Sequence, residues 1–60
     1  MINPEVVHEK TPSGGDYSEM YMLDKNGNLA KTENDIAEFR IVEKKADGTV
    51  IRTTYALPQR

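Results

Sequence analysis

The residue of this chain best suited to acid–base catalysis is its one histidine, His8. Nucleophilic catalysis requires a nucleophile, a base and an orienting acid in mutual contact. Ser13 and Ser18 are close to His8 in sequence, but they lie in or beside a loop rich in glycine and proline. The carboxylates are scattered, and a chain of this length rarely forms the cleft that paired-carboxylate hydrolysis needs. We therefore interpret His8 as a structural residue and predict that the chain is not an enzyme.

Metal and phosphate sites are not indicated either. The segment Asp24-Lys25-Asn26-Gly27-Asn28 has some likeness to a calcium loop, which requires glycine at its sixth position and glutamate at its twelfth. Counted from Asp24, glycine is fourth and the twelfth residue is Asp35. Cysteine is absent, so thiolate ligands and disulfides are excluded. We predict no metal and no cofactor.

Composition limits both the core and the range of partners. Sixty residues predict one small domain over 1–60, with frayed ends at 1–4 and 58–60. Such a domain has a thin core and commonly relies on disulfides, a metal or oligomerisation, so a homodimer is left open. Eight Lys and Arg against ten Asp and Glu give a net charge of −2, which disfavours a sequence-independent phosphate binder. Without an apolar run long enough to span a membrane or a signal-like start, we predict a cytoplasmic protein with no membrane partner.

Two glycine turns predict the fold. Asn26-Gly27 and Asp47-Gly48 are each flanked by strand-like residues, the strongest short-range signal for a β-hairpin. We expect Gly27 and Gly48 to be structural, each holding the left-handed backbone position of its turn. The predicted fold class is mainly β: a small antiparallel sheet of four to five strands built from two hairpins, with about one helical turn between them.

The expected elements follow from local pattern. Thr32, with an acidic residue three positions later, resembles a helix N-cap, and the alternative for this segment is an irregular polar loop. Five strands are predicted, at Glu5–Lys10, Tyr17–Leu23, Leu29–Lys31, Glu38 or Phe39 to Lys45, and Thr49–Leu57. The helical turn is predicted at Glu33–Ala37 and a plain loop at Thr11–Asp16.

Side-chain parity predicts the register of the last hairpin. A two-residue loop would divide the apolar residues between both faces, whereas a three-residue loop over Ala46–Gly48 pairs Lys45 with Thr49 and Phe39 with Tyr55. The second register gathers nearly all large apolar residues on one face. The other face would then carry Glu38, Arg40, Lys44, Arg52 and Thr54.

The second strand is apolar on both sides. Tyr17 and Tyr21 share one face of it, and Met20 and Met22 share the other. A strand of this kind is covered on both sides. The cover is either the helical turn with Ile36 and the first strand, or a partner, and Met and Tyr suit adaptable contact surfaces.

A second candidate surface is acidic. It comprises Glu33, Asp35 and Glu38, which suit electrostatic capture of a basic partner surface. We interpret the chain as a small non-catalytic protein-interaction module, a stand-alone regulator or inhibitor of the kind phages and mobile elements use, which binds another protein. One alternative is a nucleic-acid-binding β-sheet module, against which the predicted register places Arg40 on the face opposite to the aromatic residues. The other alternative is a homodimeric structural domain.

Overall fold

The computed structural model describes residues 1–58 of the chain, so the predicted fraying of Gln59 and Arg60 lies outside the described residues. It contains one antiparallel sheet with the strand order β1-β2-β3-β4. The mainly β fold class is thus confirmed. The elements are β1 (Glu5–Val7), β2 (Tyr17–Leu23), a 3₁₀ turn (Glu33–Asp35), β3 (Glu38–Lys44) and β4 (Val50–Ala56). Within residues 1–58, no helix has the length and apolar character needed to cross a membrane.

The two glycine turns have the same geometry. In the second turn, Lys45 N–H donates to the Thr49 carbonyl at 2.9 Å, and Gly48 N–H donates to the Lys45 carbonyl at 2.9 Å. The first turn repeats this pattern between Asp24, Gly27 and Asn28. Gly27 has φ +85° and Gly48 has φ +91°, values that other residues rarely adopt. The predicted three-residue loops are confirmed.

A third copy of this turn lies in the segment expected to be a plain loop. Thr11 N–H donates to the Gly15 carbonyl at 3.1 Å, and Gly14 N–H donates to the Thr11 carbonyl at 3.0 Å. Gly14 takes φ +90°. Pro12 lies at the second position of the turn, where its fixed φ is favourable. The connection between β1 and β2 is therefore an ordered turn.

The segment after the first turn is shorter as a strand than predicted. Leu29 forms a single bridge with Leu23, and no strand extends over Leu29–Lys31 within the described chain. Ala30 N–H donates to the Met22 carbonyl, and the Ala30 carbonyl accepts from Ile2 N–H, both at 2.8 Å. Ala30 is completely buried, so this segment anchors the N-terminal residues beside β2.

The helical connector is also shorter than predicted. It is one 3₁₀ turn, and Ile36 already has an extended backbone. The Thr32 hydroxyl does not cap the helix; it donates to the Asp35 carboxylate at 3.0 Å. Thr32 is thus the N-cap residue, as predicted, but its side chain makes no capping hydrogen bond because the Asp35 carboxylate accepts its hydroxyl.

The predicted register of the last hairpin was wrong beyond its turn. Phe39 pairs with Ala56, and Arg40 pairs with Tyr55. The register shifts at a β-bulge where Ile51 has no partner, between the pairs Glu43–Arg52 and Lys44–Val50. A bulge inserts one extra residue into one strand, which moves every later side chain to the other face.

The corrected register gives the sheet two faces of different character. One, the covered face, carries Met20, Met22, Phe39, Ile41, Glu43, Arg52 and Thr54. The other, the open face, carries Tyr17, Glu19, Tyr21, Glu38, Arg40, Val42, Lys44 and Tyr55.

Loops pack on the covered face at both of its ends. Ile36 of the connector lines a depression with Met22 and Phe39, and the turn over residues 11–15 reaches Glu43. A methyl group on Gly15 would lie only 2.8 Å from the Lys44 carbonyl and 3.1 Å from the Ile51 side chain. The bulged residue therefore packs directly against this turn, which gives a physical reason for the bulge.

The core is correspondingly thin. The apolar residues that are buried within the described chain are Leu23, Ala30 and Ile36. They lie near the ends of β2 and β3 where the first turn and the connector meet, whereas most strand residues are only half-buried. The other face is bordered by the first turn where Leu23 is buried, and within residues 1–58 a single sheet leaves the rest of that face without a second layer.

Candidate functional site

The open face is the candidate functional surface. Pairing of β2 with β3 sets Tyr21 opposite Arg40 and Glu19 opposite Val42, and pairing of β3 with β4 sets Tyr55 beside Arg40. Residues directly opposite across a sheet have their side chains close together. Aromatic, aliphatic and charged side chains thus form one continuous surface.

Glu19 is the centre of one polar group on this face. Its carboxylate accepts from the Tyr21 hydroxyl at 2.9 Å and pairs with the Lys44 ammonium at 2.8 Å. The Lys44 hydrogen bond lowers the pKa of Glu19, and the bond to Glu19 raises the pKa values of both Lys44 and Tyr21. The charges of Glu19 and Lys44 therefore compensate each other at neutral pH.

Arg40 is the centre of a second group. Its guanidinium donates to the Glu38 carboxylate at 3.0 Å and lies 5.0 Å from the centroid of the Tyr55 ring. A cation at this distance over an aromatic face is attracted by the ring quadrupole. Tyr55 remains 62% exposed, so the stacked pair leaves its ring available to a partner.

A depression on the open face lies between these groups and the first turn. It is lined by strand side chains, Val42 among them, together with Gly27, Asn28 and Leu29 of the first turn. The surface is shallow and has an apolar centre with charged side chains around it. This is the composition of many protein-contact surfaces, in which aromatic residues and Arg are enriched.

On the covered face, Glu43 holds the loop to the sheet. It is only 3% exposed, and one of its carboxylate oxygens accepts from the Ser13 hydroxyl at 2.9 Å and the Ser13 N–H at 3.2 Å. Its other oxygen accepts from Arg52 at 2.5 Å. The Arg52 hydrogen bond, aided by Ser13, lowers the pKa of Glu43 to about 2 against the cost of desolvation. We call this arrangement of Glu43, Ser13 and Arg52 the clasp.

The structure separates the residues predicted to bind a partner through β2. Tyr17 and Tyr21 lie on the open face, and the Tyr17 ring is 5.9 Å from the His8 ring. Met20 and Met22 lie on the covered face, where Met22 lines the depression under Ile36. The four side chains therefore cannot form one contact surface, and the tyrosines are the ones on the open side.

The predicted acidic group is also divided. Glu33 and Asp35 are exposed on the connector, and Asp35 accepts the Thr32 hydrogen bond. Glu38 begins β3 on the open face and pairs with Arg40. The acidic group does not form one patch with the tyrosines.

The two serines considered for nucleophilic catalysis lie apart from the open face, whereas the His8 ring lies beside Tyr17, which belongs to that face. The Ser13 hydroxyl bonds to Glu43 in the clasp, and Ser18 pairs with Val7 in the sheet. Among residues 1–58, no three His, Asp or Glu side chains are grouped to hold a metal ion.

Sequence reasoning missed the contribution of Tyr55, Arg40 and Val42 to one surface. The bulge that brings them together occurs at Ile51, and a bulge of this kind requires no particular residue type. The clasp was missed for a different reason, since Thr11-Pro12-Ser13-Gly14 does carry a turn signal that could have been used.

Comparison of the chain with models of protein families, with curated proteins and with solved structures gives no significant match.

Proposed function

We propose that this chain is a small, non-catalytic protein-interaction module that binds another protein through its open face. The observation that carries the proposal is the surface formed by Tyr21, Val42, Arg40 and Tyr55, which the first turn borders at one end and which has Tyr55 exposed at the other side. A role as a regulator or inhibitor in the cytoplasm is part of the same proposal.

The chemistry of the open face favours a protein partner. Tyrosine and arginine provide much of the binding energy at protein interfaces when they are desolvated by a partner. Here Tyr55 and Arg40 are already stacked, so less side-chain entropy is lost when they bind. A partner with an apolar patch and a few hydrogen-bonding groups fits this surface.

Charge argues against the nucleic-acid alternative, although the corrected register brings arginine and tyrosine together. Glu38 and Glu19 neutralise Arg40 and Lys44, respectively. A phosphate backbone approaching this face would meet two carboxylates beside the two cations. Nucleic-acid affinity depends mainly on uncompensated Lys and Arg.

The test is affinity capture from cells of the source organism with two matched variants. Tyr55→Ser removes an exposed ring from the open face, and Thr54→Ala alters the next residue, which is exposed on the other side. We expect one captured protein to be retained by the unaltered chain and by Thr54→Ala, and to be lost with Tyr55→Ser. Equal capture by both variants, or salt-dependent retention of oligonucleotides in place of a protein, would contradict the proposal.

A further inference from the structure

We propose that the outer edge of β4 pairs with the same edge of a second copy of this chain, forming a two-fold dimer with one eight-stranded sheet. This goes beyond the proposed function because it uses the strand edge and a different partner from the open face. β4 is the last strand in the order β1-β2-β3-β4, so within residues 1–58 one side of its backbone has no neighbouring strand.

The β4 edge lacks the usual protection against pairing. Natural edge strands are kept short or carry charges, proline or bulges that prevent association. β4 has seven residues, contains no proline, and has Arg52 as its one charge, which already pairs with Glu43. Its bulge at Ile51 protects only the beginning of the strand and leaves Arg52–Ala56 regular.

The opposite edge of the sheet differs. β1 has three residues and directly follows Pro4, so it offers little backbone for pairing. Pairing of β4 with β1 of another copy would also be head-to-tail and would leave open ends. Pairing of β4 with β4 is closed by symmetry.

Sheet geometry fixes the register of such a dimer. Residues directly opposite in an antiparallel pair have side chains on the same face of the sheet. A two-fold axis perpendicular to the sheet keeps each residue on its face, so the axis must lie midway between one residue and the same residue of the second copy. Thr54 is the middle of the regular stretch Arg52–Ala56, and an axis there pairs all five of its residues. An axis at Thr53 would instead run the pairing through the bulge.

The pairs made in this register are compatible with one another. Thr54 faces Thr54 of the second copy, Thr53 faces Tyr55, and Arg52 faces Ala56, so no like charges oppose each other. Threonine pairs and aromatic–β-branched pairs stabilise neighbouring strands. The exposed apolar side chains near both ends of β4, Val50 at 53% and Leu57 at 79%, come close to the new junction.

The thin core supports a second copy as the occupant of this edge. A domain of this length without disulfides commonly needs oligomerisation, and the buried apolar residues of the described chain are only Leu23, Ala30 and Ile36. Continuing the sheet across the dimer gives the outer edge of each β4 a neighbouring strand in place of solvent. A single strand pair is a small interface, so we expect the dimer to dissociate on dilution.

The test uses complementary charges at the proposed axis. Light scattering of the unaltered chain over a hundredfold concentration range should show the mass doubling. Thr54→Lys and Thr54→Asp each place like charges opposite each other and should remain monomeric, while their equimolar mixture should recover the doubled mass. Thr54 is exposed, so circular dichroism should show that both variants stay folded.

Either of two results would overturn the proposal: a monomeric mass of the unaltered chain at every concentration, or dimerisation of both charged variants as strongly as the unaltered chain. If a variant does not fold, hydrogen exchange of the unaltered chain decides the matter, since the β4 amides on its outer edge should be protected at high concentration and exchange freely at low concentration, while those that face β3 stay protected throughout. Exchange in β4 that is the same at high and low concentration would refute pairing through this edge. Because Tyr21 lies on the open face but on β2, away from the β4 edge, loss of partner capture in Tyr21→Ser with the mass still doubling would separate the two proposals.

Discussion

The covered face and the open face each contain a carboxylate with two hydrogen-bond partners, but the partners come from different places. Glu43 is bonded to Ser13, thirty residues earlier in the chain, so its bonds fasten a loop onto the sheet. Glu19 is bonded to Tyr21 and Lys44, which belong to its own and the neighbouring strand. Bonds of the first kind hold distant parts of the chain together, and bonds of the second kind pair charges between neighbouring strands, where the Lys44 and Glu19 side chains are 21% and 19% exposed. The difference indicates which face serves stability and which remains available for binding.

The largest effect should come from the connector that packs on the covered face. Ile36 is 5% exposed, and Ile36→Ala should lower the free energy of unfolding by about 2–4 kcal/mol. A domain of this size has only about 3–9 kcal/mol of stability. Thermal unfolding followed by circular dichroism should therefore shift down by at least about 8 °C. A shift as small as that of an exposed-residue variant would show that the connector does not cover this face.

Gly15→Ala tests the other end of the covered face. Its methyl group would lie 2.8 Å from the Lys44 carbonyl, a backbone atom that cannot move aside cheaply. We expect a loss of about 1–3 kcal/mol, typical of overpacking, measured by urea unfolding.

Gly48→Ala is the control for this variant. It has φ +91° but nothing within 4 Å of the added methyl group, so its cost is conformational, about 1–2 kcal/mol. Local hydrogen exchange should separate the two variants, because only Gly15→Ala should loosen the 11–15 turn and the bulge. Unchanged exchange there in Gly15→Ala would contradict direct packing of this turn on the sheet.

The clasp predicts a pH dependence with a definite sign. The pKa of Glu43 is about 2 in the folded chain and near 4.5 for an ordinary glutamate, so the unfolded chain binds the proton more readily. The stability that the clasp contributes is fully present above about pH 4.5 and is lost as the pH falls towards 2. Glu43→Gln should therefore be less stable than the unaltered chain at neutral pH, and the difference should shrink over this range. A difference that does not change between pH 6 and pH 3 would refute the clasp.

The smallest effect on stability is expected on the open face. Tyr55→Ala removes an exposed ring and its contact with Arg40, which should cost about 1 kcal/mol or less. Urea unfolding should show this small change, while binding of a partner to the open face should fall strongly. A loss as large as that of Ile36→Ala would mean that Tyr55 belongs to the core and that the contrast between the faces is wrong.

Sequence reasoning recovered the elements that depend on local chemistry. Both glycine turns, β2 and the short helical connector follow from turn residues and alternation, and the structure has them within one or two residues. Reasoning failed where a distant contact decides the outcome. The bulged Ile51 packs beside Gly15, thirty-six residues earlier, and no local pattern around Ile51 reports that contact.

The candidate surface was accordingly predicted only in part. Alternation alone predicts Tyr17 and Tyr21 on one face of β2, and the structure has them together on the open face. Alternation counted without the bulge predicts Tyr55 on the buried side, because the extra residue moves every later side chain to the other face. The partner itself stays a prediction, since alternation identifies a face but not what binds to it.

The bulge also has a consequence for how the protein can change through insertion or deletion. Loss of the single codon for Ile51 would remove the unpaired residue and let β4 pair continuously with β3, with Arg52 still opposite Glu43 and Tyr55 still opposite Arg40. The side chains would exchange faces only if Ile51 stayed in the chain and entered the ladder opposite Glu43, which would set Thr54 opposite Arg40. The bulge thus separates the length of β4 from the chemistry that it displays, and a chain one residue shorter at this point would present the same surface on the same sheet.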